Sequence, residues 1–270
     1  MPGYFHWNVD PIMVHLGPLA IRWYGLCFAA AFLVGYWIME WVYRQEGKKT
    51  EVLDTLLMYM LVGAVVGARL GHVLFYDPHY YFAHPMDILK IWEGGLASHG
   101  GAIGILIAFY IYTRRAGAPR YLWLLDRAVI PTALGGFFIR MGNFFNSEIV
   151  GTRTTGWWGV VFDRVDPFPR HPVQLYEALA YLLIFFVLLV VYAQQRERLG
   201  EGMLLGLFFA LVFSARFVLE FVKTPQAEYE AGFVLTVGQL LSIPFVIGGV
   251  ALMLRARRAN AVRPTGDSRR

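Results

Sequence analysis

The sequence predicts an all-α integral membrane protein with seven transmembrane helices, the N-terminus outside, the C-terminus cytoplasmic and a small outer cap. Three observations predict it. The chain of 270 residues is 57% apolar and only 16% charged, whereas a soluble domain carries about 25% charged residues. Apolar stretches near the roughly 20 residues that a bilayer crossing needs recur along its length, each bounded by charge, Gly or Pro. Lys and Arg divide unequally between the two sets of helix ends, and the richer set marks the cytoplasmic side.

The first expected span, 18–42, follows an N-terminus with no Lys or Arg before Arg22. The cationic start of a cleaved signal peptide is missing, so this segment is expected to stay as a span. The second, 54–76, carries Arg69, His72 and Tyr76. The third, 95–113, opens on Gly94-Gly95-Leu96-Ala97-Ser98-His99-Gly100-Gly101-Ala102, small residues that admit close approach of a backbone or a lipid. The fourth, 121–140, ends at Arg140. The fifth, 173–193, opens with Gln174, Tyr176 and Glu177; the sixth, 203–223, holds Arg216 and Glu220; the seventh is 236–254. Residues 1–254 thus read as one membrane domain, with the outer loop 144–172 as its cap. Residues 255–270 contain Arg255, Arg257, Arg258, Arg263, Arg269 and Arg270 and read as a basic cytoplasmic tail near anionic head groups. No aromatic residue interleaves these arginines, which argues against nucleic acid as a partner.

One set of span ends holds Arg44, Lys48, Lys49, Arg114, Arg115, Arg120, Arg196, Arg198 and the tail arginines; the other holds Lys90, Arg153, Arg164, Arg170 and Lys223. With that orientation, a rise of about 1.5 Å per residue sets the depth of each polar group. Arg22-Trp23-Tyr24, Arg69, His72, Tyr76, Ser98-His99, Arg140, Gln174, Tyr176, Glu177, Arg216 and Glu220 all fall in the outer half. An intramembrane cation is costly unless paired or hydrated and is a functional candidate by default. Three of them, Arg69, Arg140 and Arg216, point to an anion site, and a lipid phosphate is the abundant anion there. Each member also has a structural reading. Arg216 and Glu220 can pair four residues apart on one helix face. Arg69 can hold backbone carbonyls, Tyr24 and Tyr76 can be interfacial aromatics, and Asn143 and Asn146 can cap turns.

Much chemistry is excluded. The single cysteine, Cys27, rules out an internal disulfide and a cysteine-rich metal site. No two-histidine zinc helix, Gly-x-Ser-x-Gly elbow or P-loop occurs, and His79 with His84 is a weak metal signal, so no metal and no cofactor is expected. Arginines, one glycine-flanked histidine, amides and carboxylates suit phosphate binding and proton transfer. They would equally serve another phospholipid head-group transferase or hydrolase, or a non-enzymatic lipid or anion transporter.

Six motifs in order carry a family resemblance. They are Arg22-Trp23-Tyr24-Gly25-Leu26; Gly67-Ala68-Arg69-Leu70-Gly71 with Phe75-Tyr76; Trp92-Glu93-Gly94-Gly95-Leu96-Ala97-Ser98-His99-Gly100-Gly101; Arg140-Met141-Gly142-Asn143-Phe144-Phe145-Asn146-Ser147-Glu148 followed by Gly151; Arg170-His171-Pro172-Val173-Gln174-Leu175-Tyr176-Glu177; and Arg216-Phe217-Val218-Leu219-Glu220-Phe221. The chain resembles the prolipoprotein diacylglyceryl transferase family over nearly its whole length. The resemblance implies transfer of the diacylglyceryl group of phosphatidylglycerol to the lipobox cysteine of a prolipoprotein signal peptide, at the outer face of the bacterial inner membrane. A thioether forms and glycerol phosphate leaves. It implies that Arg140 contacts phosphatidylglycerol, that Arg140 and Arg216 are essential, and that Tyr24, His99, Asn143, Asn146, Glu148 and Gly151 take part. Arg22 stands where some relatives have His, Lys223 where some have Arg, and the loop 149–169 is short.

The expected mechanism follows. Arg140 and Arg216 clamp the phosphate, and Asn143 orients the head group. His99 is the expected base on the thiol, with Tyr24 the competing candidate. Asn146, Glu148, Gly151, Arg69, Tyr76, Glu177 and Glu220 complete the binding site, with Glu148 and Glu220 orienting arginines. Gly100 and Gly101 leave room for an acyl chain or the signal peptide. Membrane lipids surround the whole.

Overall fold

The computed structural model describes residues 3–17, 19–224 and 235–261. They are mostly helical. The long helices are α1 (Trp23–Gln45), α2 (Leu53–Phe75), α4 (Ser98–Thr113), α5 (Tyr121–Phe145), α6 (Val173–Gln195), α7 (Met203–Leu219) and α8 (Val237–Ala261); α3 (Pro78–Ala83) is a short surface helix. Six of them, α1, α2, α5, α6, α7 and α8, are long and apolar enough to cross a membrane, α7 with the 3-10 turn Glu220–Val222 that extends it. The third expected span differs. Its helix α4 has 16 residues, about 24 Å at 1.5 Å per residue. The helix starts at Ser98 instead of residue 95, because Gly94 (φ +93°) and Gly95 (φ +71°) adopt a left-handed backbone just before it. Helix α5 runs five residues past the expected end at Arg140. Helix α8 continues to Ala261, so 255–261 is helical; residues 262–270, with Arg263, Arg269 and Arg270, lie outside the described residues.

The all-α expectation is corrected by five short strands. β2 (Ile12–Leu16) and β3 (Leu19–Arg22) form an antiparallel hairpin where the first span was expected to begin, and α1 starts only at Trp23. The three-residue strand β1 (Phe5–Trp7) pairs in parallel with β4 (Val160–Phe162), which pairs antiparallel with β5 (Pro169–Arg170). Phe162 and Val160 are buried against Phe144, with Trp7, Val150 and Leu175 around them. Burying those side chains is what holds so small a sheet together. Trp7 also donates its indole N–H to the Phe144 carbonyl at 3.0 Å.

The chain forms two compact units, residues 39–124 and residues 1–38 with 125–270. In the first, α2 lies against α4 through glycines. A Cβ added at Gly71 would sit 2.7 Å from the Gly100 Cα, one at Gly67 2.7 Å from the Gly104 Cα, and one at Gly63 2.6 Å from the Gly104 carbonyl oxygen. Spacing by four puts Gly63, Gly67 and Gly71 on one face, and the small-residue stripe lets the backbones meet. The space expected at Gly100 for an acyl chain or peptide is therefore filled by α2. At the end of α1, Tyr43 meets the Trp123 ring edge-on at 5.4 Å, and Trp123 donates to Glu46 at 2.7 Å.

In the second unit, α7 and α8 meet the same way: a Cβ on Gly249 would lie 2.6 Å from the Gly206 carbonyl oxygen. Asp126, fully buried on α5, accepts the backbone N–H groups of Gly202 (3.0 Å) and Leu205 (2.8 Å). Those donors open α7 and have no partner within the helix, and the carboxylate also suits the positive end of its dipole.

Gly67→Val should force α2 and α4 apart and cost about 1–3 kcal/mol or more, read as a lower melting temperature in detergent. Gly248→Ala meets nothing within 4 Å and should leave it unchanged.

Candidate active site

The end of α5 builds the centre of the site. Because the helix persists to Phe145, Arg140 and Asn143 lie three residues apart on one face, and the Arg140 Nη1 donates to Asn143 Oδ1 at 3.1 Å. The Asn143 Nδ2 donates onward to Glu148 Oε2 at 3.1 Å, and Asn146 Nδ2 donates to Glu148 Oε1 at 3.1 Å. Glu148 thus holds two amides, and it reaches Arg140 only through Asn143. The chain leaves the helix through two residues in the left-handed region, Ser147 and Ile149, both at φ +56°. A β-branched residue there is an outlier.

Helix α6 supplies the anion for Arg140. The Arg140 Nε lies 2.8 Å from Glu177 Oε2, and the Lys223 Nζ lies 2.7 Å from Glu177 Oε1 and 3.7 Å from Glu220 Oε2. The Glu177 side chain is 2% exposed, so both of its charge contacts are made away from water. Glu220, expected to orient an arginine, has its charge contact with this lysine. A Cβ on Gly238 would sit 2.6 Å from Glu220 Oε1, which places α8 directly against that carboxylate. One turn beyond Glu177, Tyr181 lies within hydrogen-bonding reach of Arg140 and in the field of Arg216. The buried Arg216 Nε has no hydrogen-bond partner among the described residues.

Tyr24 enters at the first turn of α1, where Trp23 stacks on Phe145 at 4.9 Å. Its phenol is in electrostatic range of Glu148 and Arg140, and Gly142 makes room for its ring: a Cβ there would lie 2.8 Å from Tyr24 Cδ2. Gly151 acts through its backbone. It bridges to Lys223, donates to the His171 carbonyl at 3.0 Å and accepts from Arg170 Nη1 at 3.0 Å. A Cβ on it would strike that same His171 oxygen at 2.6 Å.

These residues, Tyr24, Arg140, Asn143, Asn146, Glu148, Gly151, Glu177, Arg216 and Glu220, belong to one unit; Arg69, Tyr76 and His99 belong to the other. Arg69 is 4% exposed and holds backbone: Nε donates to Ile88 (2.8 Å), Nη1 to Gly94 (2.6 Å) and Gly95 (3.1 Å), and Nη2 to Asp87. It also packs on the Tyr81 ring at 4.9 Å. The carbonyl-holding role that the sequence left open for it is the one realised, with its donors turned to the 87–95 loop. Tyr76 is exposed and stacks on His72 at 5.3 Å. His99 is exposed in the first turn of α4.

A family model described as prolipoprotein diacylglyceryl transferase matches residues 11–255. The chain belongs to the prolipoprotein diacylglyceryl transferase family. It is 58% identical over 255 residues to the phosphatidylglycerol–prolipoprotein diacylglyceryl transferase of Tolumonas auensis, covering 94% of this chain and 98% of that one. It is 50% identical over 254 residues to the enzyme of that name from Chloroherpeton thalassium, covering 94% and 95%. The one from Porphyromonas gingivalis is 42% identical over 271 residues, covering 95% and 96%.

Two side chains of this family member's site were not singled out from the sequence. Tyr181 sits in the apolar run of α6 and reads there as a core aromatic. Lys223 follows α7 and reads as a span-end cation; its spacing of three from Glu220 was the available clue.

On the loop after α5, the Asp166 carboxylate is gripped by Arg170, which holds it below the ordinary aspartate range. A lowered native pKa means that its stabilisation is complete above the unfolded value of about 4 and is lost as the pH falls through the native one. Hydrogen exchange across 150–170, corrected for intrinsic rates, should accelerate on acidification from about pH 5 to about pH 2. Asp166→Asn should remove that acceleration.

Proposed function

We propose that this protein transfers the diacylglyceryl group of phosphatidylglycerol to the lipobox cysteine thiol of prolipoproteins, in the bacterial inner membrane with its site toward the outer face. In this reading α4 is the seventh crossing, the N-terminus is outside, the C-terminus is cytoplasmic, and the sheet of β1, β4 and β5 belongs to the outer cap. A single membrane domain spans 1–254. The family and the names of its relatives support the reaction. The observation that carries the site is the buried Arg216 Nε, without a hydrogen-bond partner among the described residues and in electrostatic range of a phenol that also reaches Arg140. A buried donor without an acceptor calls for an explanation, and a phosphodiester oxygen supplies one.

The chemistry then follows. The thiol sulfur attacks a glycerol carbon; a C–S bond forms, the C–O bond to phosphate breaks, and glycerol phosphate departs with the bonding electrons. Arg140 and Arg216 stabilise the charge that grows on the leaving phosphate, about 3–4 kcal/mol per well-placed donor. Arg140 gives one Nη1 proton to Asn143 and keeps its Nε beside the Glu177 carboxylate at 2.8 Å, which holds the fork in place for a ligand. Asn143 and Asn146, held by Glu148, face the head group, and Gly151 keeps the adjoining backbone close. Tyr24, Glu177 and Glu220 complete the binding surface, while Arg69 fixes the 87–95 loop. A free thiol titrates near 8.5, so a base is required. His99 is assigned that role as the imidazole of the glycine-flanked motif, with Tyr24 as its competitor.

The decisive experiment is mass spectrometry of a lipobox peptide incubated with the protein and phosphatidylglycerol. A diacylglyceryl mass gain on cysteine is expected. Lipid hydrolysis without peptide modification would identify a hydrolase, and solute movement with intact lipid a transporter. Arg140→Ala should abolish the product, and Arg140→Lys should fall well short of wild type because it loses the bidentate fork. His99→Gln should lower kcat while phosphatidylglycerol still binds. Loss of lipid binding in that variant would make His99 a head-group ligand.

A further inference from the structure

Lys223 has no part in the chemistry above, yet it occupies half of the carboxylate that holds Arg140. Glu177 offers Oε2 to Arg140 Nε at 2.8 Å and Oε1 to Lys223 Nζ at 2.7 Å. We infer that Lys223 is a positioning residue that keeps Arg140 electrostatically available to the phosphate by sharing the charge of Glu177. The inference rests on the reading of Arg140 as a phosphate ligand.

The physical argument is one of charge. Were Glu177 to face Arg140 alone, the two would form a closed, buried, neutral pair. Attraction between opposite charges is strong where water is excluded, and a neutral pair has little field left for an incoming anion. Lys223 adds one positive charge to that pair; with Glu220 counted, the four groups are formally neutral, one unit more positive than they would be without the lysine. Glu220 lies farther from the ammonium, 3.7 Å from Nζ against 2.7 Å for Glu177, so Lys223 acts chiefly on Glu177. The guanidinium is held by geometry and left charged by its neighbour.

The backbone shows how Lys223 is kept there. Gly151 and Lys223 form a β-bridge. On either side, Thr152 N donates to the Val222 carbonyl at 2.9 Å, and Thr224 Oγ1 donates to the Val150 carbonyl at 3.1 Å. The residue after α7 is thus tied to the strand-like segment after α5, and its side chain, 9% exposed, turns inward to α6. A merely solvated span-end lysine would need none of this.

The test is a charge-compensation cycle with purified full-length protein, a lipobox peptide and phosphatidylglycerol in mixed micelles. Lys223→Met lowers the formal charge of the cluster by one unit and should raise the apparent KM for phosphatidylglycerol about tenfold, with a smaller effect on kcat. Adding Glu177→Gln to it restores that unit and should recover most of the lost affinity. Lys223→Arg should stay close to wild type. Lys223→Gln, which keeps a hydrogen-bonding side chain, repeats the comparison if the Met variant folds poorly. An unchanged KM in Lys223→Met or Lys223→Gln would overturn the inference, as would a double variant no better than the single one. Wild-type protein giving no diacylglyceryl peptide would overturn instead the functional reading beneath it.

Discussion

Glu177 sets a carboxyl group, 2% exposed, among apolar helices, and two cations meet it there. Its partners come from different stretches of chain, Arg140 near the end of α5 and Lys223 after α7. Removing one member of such a buried set costs about 3–5 kcal/mol, because a charge is left stranded. The carboxylate therefore fixes where α5, α6 and the end of α7 stand relative to one another. The remaining contacts follow from that: Asn143 is one turn from Arg140, Glu148 meets Asn143, Tyr181 lies one turn beyond Glu177, and Tyr24 lies over Gly142 within range of Arg140.

Residues 39–124 are held by the opposite device. There the packing surface is made by leaving side chains out, so that Gly63, Gly67 and Gly71 bring backbone to backbone with α4. The one buried cation of α2, Arg69, donates to four carbonyls of a loop that has little regular structure to pair with itself. Arg69 and Arg216 are the same residue type in similarly apolar runs, and their acceptors separate them. The donors of Arg69 are taken up by backbone, whereas the buried Arg216 Nε has no hydrogen-bond partner among the described residues. An occupied guanidinium is mortar in an apolar medium, and a buried donor without an acceptor calls for another explanation.

The same distinction explains what the sequence could tell. Spans were legible because hydrocarbon imposes a length and an apolar composition that a sequence displays openly. The strands were not: Phe5–Trp7 finds its partner at Val160–Phe162, and three residues carry no period to detect. The start of α4 was misplaced because Gly94 and Gly95 look like part of a small-residue helix, and only their positive φ shows otherwise. The end of α5 was misplaced because Asn143 is a poor helix former that tertiary contacts keep helical. Arg140, Asn143, Glu148, Glu177 and Arg216 were all nameable from their types, but a sequence counts donors and says nothing of their acceptors. Glu148 was accordingly matched with an arginine directly, whereas it reaches Arg140 through the Asn143 amide.

That last contact gives a reason for the backbone strain beside it. Ser147 and Ile149 sit at φ +56°, each a cost of about 1–3 kcal/mol that surrounding bonds must outweigh. The bonds are present: Glu148 N donates to the Asn143 carbonyl at 2.9 Å, and Gln174 Nε2 donates to the Glu148 carbonyl at 2.6 Å. Together they fold Glu148 back over the last turn of α5, where its two oxygens take the Asn143 and Asn146 amides. An asparagine amide could otherwise turn over and present a donor to Arg140. With Glu148 accepting from Nδ2, Asn143 must offer Oδ1 to the guanidinium, and the direction of the fork is settled before any lipid arrives. Relaxing Ile149 to an ordinary extended backbone would release Glu148, then the amide, then Arg140. The strain is the means by which a flexible exit from a helix comes to hold the Arg140 guanidinium in one orientation.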